Sequence, residues 1–125
     1  MIKRRVALGL LSAVLMTTAV VAKPLPNLRG QTYDQARAKI IKLGYRPVRF
    51  VRTEDGCLLD KSCKLYPELF ECKPTGLANC QFAYKSPDGL KYVVVTTRGA
   101  KTRRVYSITT PSRRERMRWP MIARR

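Results

Sequence analysis

The residues of this chain with the most distinctive chemistry are four cysteines, Cys57, Cys63, Cys72 and Cys80, separated by five, eight and seven residues. Thiols can bind zinc, exchange disulfides or form structural bridges. Zinc sites favour C-x-x-C pairs or histidine partners, and redox exchange favours C-x-x-C. The sequence has neither a C-x-x-C pair nor a histidine, so structural bridging is the expected use. Four cysteines allow three pairings, of which the two local bridges Cys57 to Cys63 and Cys72 to Cys80 are the simplest. Loops this short would each contribute about 2.5 kcal/mol through loop-closure entropy.

Catalysis has little to work with. Without histidine the commonest general acid or base is missing, and a serine or cysteine nucleophile lacks its usual activating partner. Asp60, Glu68 and Glu71 lie close together in sequence and would have to meet as paired acids do in glycosidases. Their plainer role is to offset Lys61, Lys64 and Lys73. No glycine-rich phosphate loop is present. The expectation is a non-catalytic protein without cofactor or metal, with an envelope hydrolase using the acids of the cysteine segment as the alternative.

Charge points to partners. Lys3, Arg4 and Arg5 precede an apolar run from Val6 to Ala22, the pattern of a secretory leader cleaved after Ala22. An uncleaved anchor is the competing reading, because 17 apolar or small residues reach the lower edge of a membrane span. Export places the cysteines in an oxidising compartment, periplasmic or extracellular. From Lys23 onward, 23 basic residues face 8 acids, a formal charge of +15. The segment from Cys57 to Cys80 is neutral, so the excess lies on the regular elements and on the end of the chain. Such a field favours an anionic envelope polymer, a lipid surface or an acidic protein. Candidate contact residues are Arg46, Arg49, Arg52, Arg103 and Arg104, together with Arg113, Arg114, Arg116 and Arg118. Basic and aromatic residues interleave at Tyr45, Arg46, Arg49, Phe50 and Arg52, and again at Lys91, Tyr92, Arg103, Arg104 and Tyr106. That pattern can stack nucleic-acid bases, but export removes most nucleic acid from reach, so it is not an expected partner.

These residues must be positioned by a small α+β domain, expected over 23–110. Thr32 and Gln35 have capping-box spacing, with Asp34 favourable to the helix dipole. Tyr33, Ala36, Ile40 and Leu43 then share one helical face, and Gly44 ends the helix. Tyr45 to Arg52 reads as a strand, and Pro47 argues that it lies at an edge or begins late. The span from Thr53 to Cys80 lacks a period and reads as loop, with Leu65 to Glu71 its one candidate strand. Cys80 to Lys85 alternates, Ser86-Pro87-Asp88-Gly89 turns, and Leu90 to Thr97 is apolar on both faces, as a central strand is. After the turn at Arg98 to Lys101, Arg103 to Thr110 forms a last strand. The predicted architecture is one helix on an antiparallel sheet of three or four strands with a disulfide-pinned loop. Residues 111–125 are Arg-rich and read as a disordered basic tail; Trp119 among its arginines would suit a membrane interface.

Leu25 to Tyr45, with Pro26, Gly30, Thr32, Ala36, Ile40 and Gly44, resembles the opening of a PASTA domain. The longer pattern adds Cys63, Pro67, Glu68, Cys72, Thr75, Gly76, Leu77, Ala78, Asn79 and Cys80. It resembles a group of small exported four-cysteine proteobacterial proteins of unknown function. That resemblance implies a fold and a compartment, and no activity. Together these features predict an exported binding protein for an anionic envelope component or an acidic protein, inhibition of that partner being one form it could take. A polyanion-binding or membrane-active protein working through its tail is a further alternative.

Overall fold

The computed structural model describes residues 9, 12–14, 24–51, 62–73 and 78–123. Most of the leader, Arg52, Asp60, and the bridge expected between Cys57 and Cys63 lie outside them. The fold is α+β. Helix α1 (Tyr33–Lys42) is followed by β1 (Arg46–Pro47), a short α2 (Ser62–Leu65), and β2 (Leu69–Cys72). Then come β3 (Cys80–Lys85), β4 (Tyr92–Arg98), β5 (Arg104–Thr109) and a short α3 (Arg113–Met117). All strand pairings are antiparallel. The path is β1-β3-β4-β5, with β2 also paired to β3.

Helix α1 forms where its caps place it. The Thr32 hydroxyl accepts from the Gln35 amide at 3.3 Å, while the Gln35 side chain is exposed, so only the hydroxyl half of the expected capping box is engaged. At the other end Gly44 adopts φ +92°. Its N–H donates to the Ile41 carbonyl at 2.9 Å and the Tyr45 N–H donates to Ile40 at 3.3 Å. This is the Schellman arrangement, and Ile40 and Tyr45 supply its apolar contact in the core. The buried face is Tyr33, Ala36 and Ile40, as the spacing predicts.

Strands β1 and β2 divide one edge of β3. Arg46 and Pro47 oppose Lys85 and Tyr84, and Leu69 to Cys72 oppose Phe82 to Cys80. The handover is at Ala83, whose carbonyl accepts from Val48 N–H at 3.0 Å and whose N–H donates to Glu68 at 3.0 Å. Pro47 cannot donate to a ladder, and the expected eight-residue strand is shortened to two residues there. Phe50 forms only an isolated bridge, to Ile122. The disulfide joins Cys72 to Cys80, a directly opposed pair in the β2–β3 register with Cα atoms 4.1 Å apart. β4 is central, with β3 and β5 on its two sides.

Both faces of β3 are buried. Phe82, Tyr84 and Cys80 pack under α1 with Leu28, Leu69, Val95 and Val105. Tyr33 stacks on Phe82 with centroids 3.7 Å apart, and Tyr66 meets both rings edge-on at 5.1 and 5.8 Å. Ala83 faces the other way, into a second cluster with Val48 and Phe50, against which Phe70, Tyr92 and Trp119 pack.

Trp119 overturns the expectation of a disordered tail. Ser112 caps α3 by accepting from Glu115 N–H at 3.2 Å. Trp119 then lies against Phe50, Phe70 and Tyr92, with centroids 5.7, 5.2 and 5.4 Å away. Beyond it, Val51 N–H donates to Met121 at 2.7 Å and Ala123 N–H to Arg49 at 2.8 Å. One large aromatic with three aromatic neighbours is enough to order a segment that is otherwise polar.

The assignment of the α1 face is tested by two substitutions in a denaturant titration. Ile40→Ala is expected to cost about 2 to 4 kcal/mol through lost burial and the cavity left behind. Lys42→Ala, on the exposed face, should cost under about 0.5 kcal/mol. Equal losses would mean that the helix packs another way.

Candidate functional site

The candidate arginines do not share one place. Arg46 from β1 and Arg49 from the following segment line one shallow groove with Lys85, Tyr92 and Ile122. Arg113 and Arg116 line a second with Met117, Trp119, Tyr92 and Ile122. The two grooves, of about 260 and 320 Å³, meet at Tyr92 and Ile122 and form one surface. Positions 113, 116 and 117 share a side of α3 because helical neighbours recur at three and four residues. Glu115 and Arg118 line a different groove, with Phe70 and Glu71.

Tyr92 is the centre of this surface. Lys85 Nζ and the Arg116 guanidinium each lie 5.5 Å from its ring centroid, within the range of cation–π attraction. Lys85 is set there by register, since it opposes Tyr92 across the β3–β4 hairpin. That hairpin is closed by Ser86 and Asp88. The Ser86 hydroxyl donates to Asp88, Leu90 N–H donates to Asp88 at 2.9 Å, and Ser86 N–H donates to Lys91 at 2.8 Å. The Ser86 hydrogen bond, helped by the backbone, holds the Asp88 carboxyl below its ordinary range. Among the described residues no carboxylate forms an ion pair with Arg46, Arg49, Lys85, Arg113 or Arg116.

The other candidates lie elsewhere. Arg104 donates through Nη1 to the Gly30 carbonyl at 2.9 Å. Arg103 lines a groove with Lys101, Thr32, Asp34 and Tyr66. Arg114 is exposed, and Arg118 shares its groove with Glu71 and Glu115. Sequence reasoning missed a further cationic cluster, in which the Arg98 and Arg29 guanidinium carbons lie 3.2 and 5.2 Å from the Tyr106 ring centroid. The pattern of alternating bases and aromatics also misleads at Tyr45 and Phe50, which are core residues.

Of the candidate acids, Asp60 lies outside the described residues, and Glu68 and Glu71 do not converge. Glu68 is fully buried, while Glu71 is exposed on β2 in the groove toward Trp119. Glu68 instead anchors a polar cluster under α1. Its Oε1 accepts from Arg37 Nε at 2.5 Å and from the Tyr33 hydroxyl at 2.8 Å, with the Tyr84 hydroxyl at 3.4 Å. The two tyrosine hydroxyls also bond to each other. Burial above all, then the neighbouring Tyr84 and Glu68, raises the ionisation of Tyr33 far beyond its ordinary range, and burial does the same for Tyr84. Tyr66, part-buried and donating to Asp34, is pushed up to about 12. The hydrogen bond to Glu68 raises Arg37 as well. Among the described residues no group of acids or cysteines is placed to hold a metal, and none of them forms a helix long and apolar enough to cross a membrane.

Two measurements test this cluster. Arg37→Ala leaves the Glu68 carboxylate buried without a cation and should cost about 3 kcal/mol; adding Glu68→Gln should recover part of that loss, whereas further loss would show that the pair is not coupled. The three phenols also set an alkaline limit. Their folded values lie above 10, while the unfolded chain releases these protons near pH 10. Their contribution is therefore complete below about pH 10 and is lost as pH rises toward the folded values. The denaturation midpoint should be level up to about pH 10 and fall beyond it; a midpoint that stays level well above that pH would show that the phenols ionise alike in both states.

No family model, curated protein or solved structure matches this chain.

Proposed function

We propose that this is an exported, non-catalytic protein that binds an anionic component of the cell envelope through the cationic and aromatic surface centred on Tyr92. The observation that carries the reading is the gathering of Arg46, Arg49, Lys85, Arg113 and Arg116 around Tyr92 and Ile122, with no carboxylate among the described residues paired to any of them. Like charges brought together at a surface raise its potential and draw anions toward it. The two cations flanking Tyr92 are oriented by the ring, so part of the ordering that binding requires is already in place. The Cys72–Cys80 disulfide is compatible with an oxidising location outside the cytoplasm. The Tyr106 cluster supplies a second cationic site toward the opposite edge.

The test is a salt series with soluble polyanions such as dextran sulfate or a teichoic-acid-like polymer. Exposed charges are screened over about 8 Å at physiological ionic strength, so affinity should fall steeply as salt rises. Arg113→Glu combined with Arg116→Glu should weaken binding and flatten the salt dependence more than Arg104→Glu does. Substitution is a cleaner probe than deleting residues 111–125, because deletion would strip Trp119 from Phe50 and Phe70. Salt-insensitive binding, or equal effects of the two variants, would contradict the reading.

A further inference from the structure

The same surface has a property that charge alone does not require. Met117 is 79 % exposed and Ile122 is 40 % exposed, and both line the groove that Arg113, Arg116, Tyr92 and Trp119 complete. Met121, the residue before Ile122, is 76 % exposed. A polysaccharide or phosphate polymer offers such side chains small C–H faces at most, and no extended apolar phase in which to bury them. An anionic bilayer offers both halves of the match. Its headgroups suit the cations, and its acyl boundary takes methionine, isoleucine and the indole edge.

Resting on the binding reading above, we propose that this face is an interfacial lipid-binding surface, in which Met117 and Ile122 enter the headgroup boundary of an anionic bilayer while Arg46, Arg49, Lys85, Arg113 and Arg116 contact the headgroups. Charge complementarity selects the occupant. Among the described residues the two grooves are lined by five cations and no acid, and the one acid of α3, Glu115, lines the groove on its other side. The face is firm rather than induced on contact, because Trp119 is seated on Phe50 and Phe70 and residues 121 and 123 are bonded to 51 and 49. A short helix of this kind has too little length to bind as a free amphipathic segment. It acts here as the edge of a folded surface.

Trp119 is the only tryptophan, so its fluorescence reports on this face alone. The full chain and the chain from Lys23 are both titrated into mixed phosphatidylglycerol–phosphatidylcholine vesicles, pure phosphatidylcholine vesicles and dextran sulfate. Comparing the two chains subtracts any partitioning of the apolar leader. The proposal expects binding to the mixed vesicles, a blue shift of Trp119 emission and quenching by lipids carrying a nitroxide near the headgroup. Met117→Ser with Ile122→Ser should lower vesicle affinity by about tenfold or more, a loss several times larger than any on dextran sulfate. Circular dichroism checks that the double variant is folded. Met117→Ser alone, a change at an exposed position, should move vesicle affinity in the same direction. Wild-type binding to dextran sulfate without binding to vesicles would overturn this proposal and leave the binding reading standing, whereas binding to neither would overturn both. Vesicle binding without nitroxide quenching, or equal losses on vesicles and dextran sulfate, would also overturn it.

Discussion

Strand β3 must be covered on both faces, and the rest of the architecture follows from that requirement. Its residues alternate Cys80, Phe82 and Tyr84 against Ala83, and each set is buried. A domain of this size has one long helix, and α1 covers only the first face. The second face is left to irregular chain, the segment from Val48 to Val51 and the residues after Pro111. Since exposed apolar surface on a central strand is costly, a basic segment with a single tryptophan is drawn onto the sheet. The arginines of α3 take their positions from that packing.

The first face carries a different constraint. Glu68 is buried beside Phe82 and Tyr84, and a lone carboxylate there would be expensive. Arg37 reaches in from α1 to pair with it, and Tyr33 donates from the same helix. The helix is therefore fixed to β3 by a polar connection as well as by Ala36 and Ile40. Such connections specify geometry more than they add stability. They also join the cysteine segment to the helix, because Glu68 immediately precedes β2 and its carbonyl takes up Ala83 where β1 leaves off.

Much of this fold was legible in the sequence. The periodicity of Tyr33, Ala36 and Ile40, the stop at Gly44, the turn at Ser86 to Gly89 and the apolar run of β4 each express a local rule. Pro47 correctly marked an edge. What failed was non-local. Tyr33 and Tyr84 read as apolar positions, and nothing within either segment announces that a glutamate more than 15 residues away from each lies between them. Trp119 reads as part of a disordered tail because its own neighbours are arginines; its partners Phe50 and Phe70 are supplied by the fold. One local signal was present and outweighed by composition, since Ser112 and Glu115 repeat the spacing of Thr32 and Gln35.

The functional reading depends on residues 111–123 being part of the folded surface, so that five cations and two apolar side chains are held around Tyr92. Amide hydrogen exchange at Val51 and Ala123 addresses this directly, because their N–H groups are bonded to Met121 and Arg49. The account predicts protection at both positions that disappears together when Trp119 is replaced by alanine. Exchange at the rate of an unstructured chain in the unsubstituted protein would contradict it.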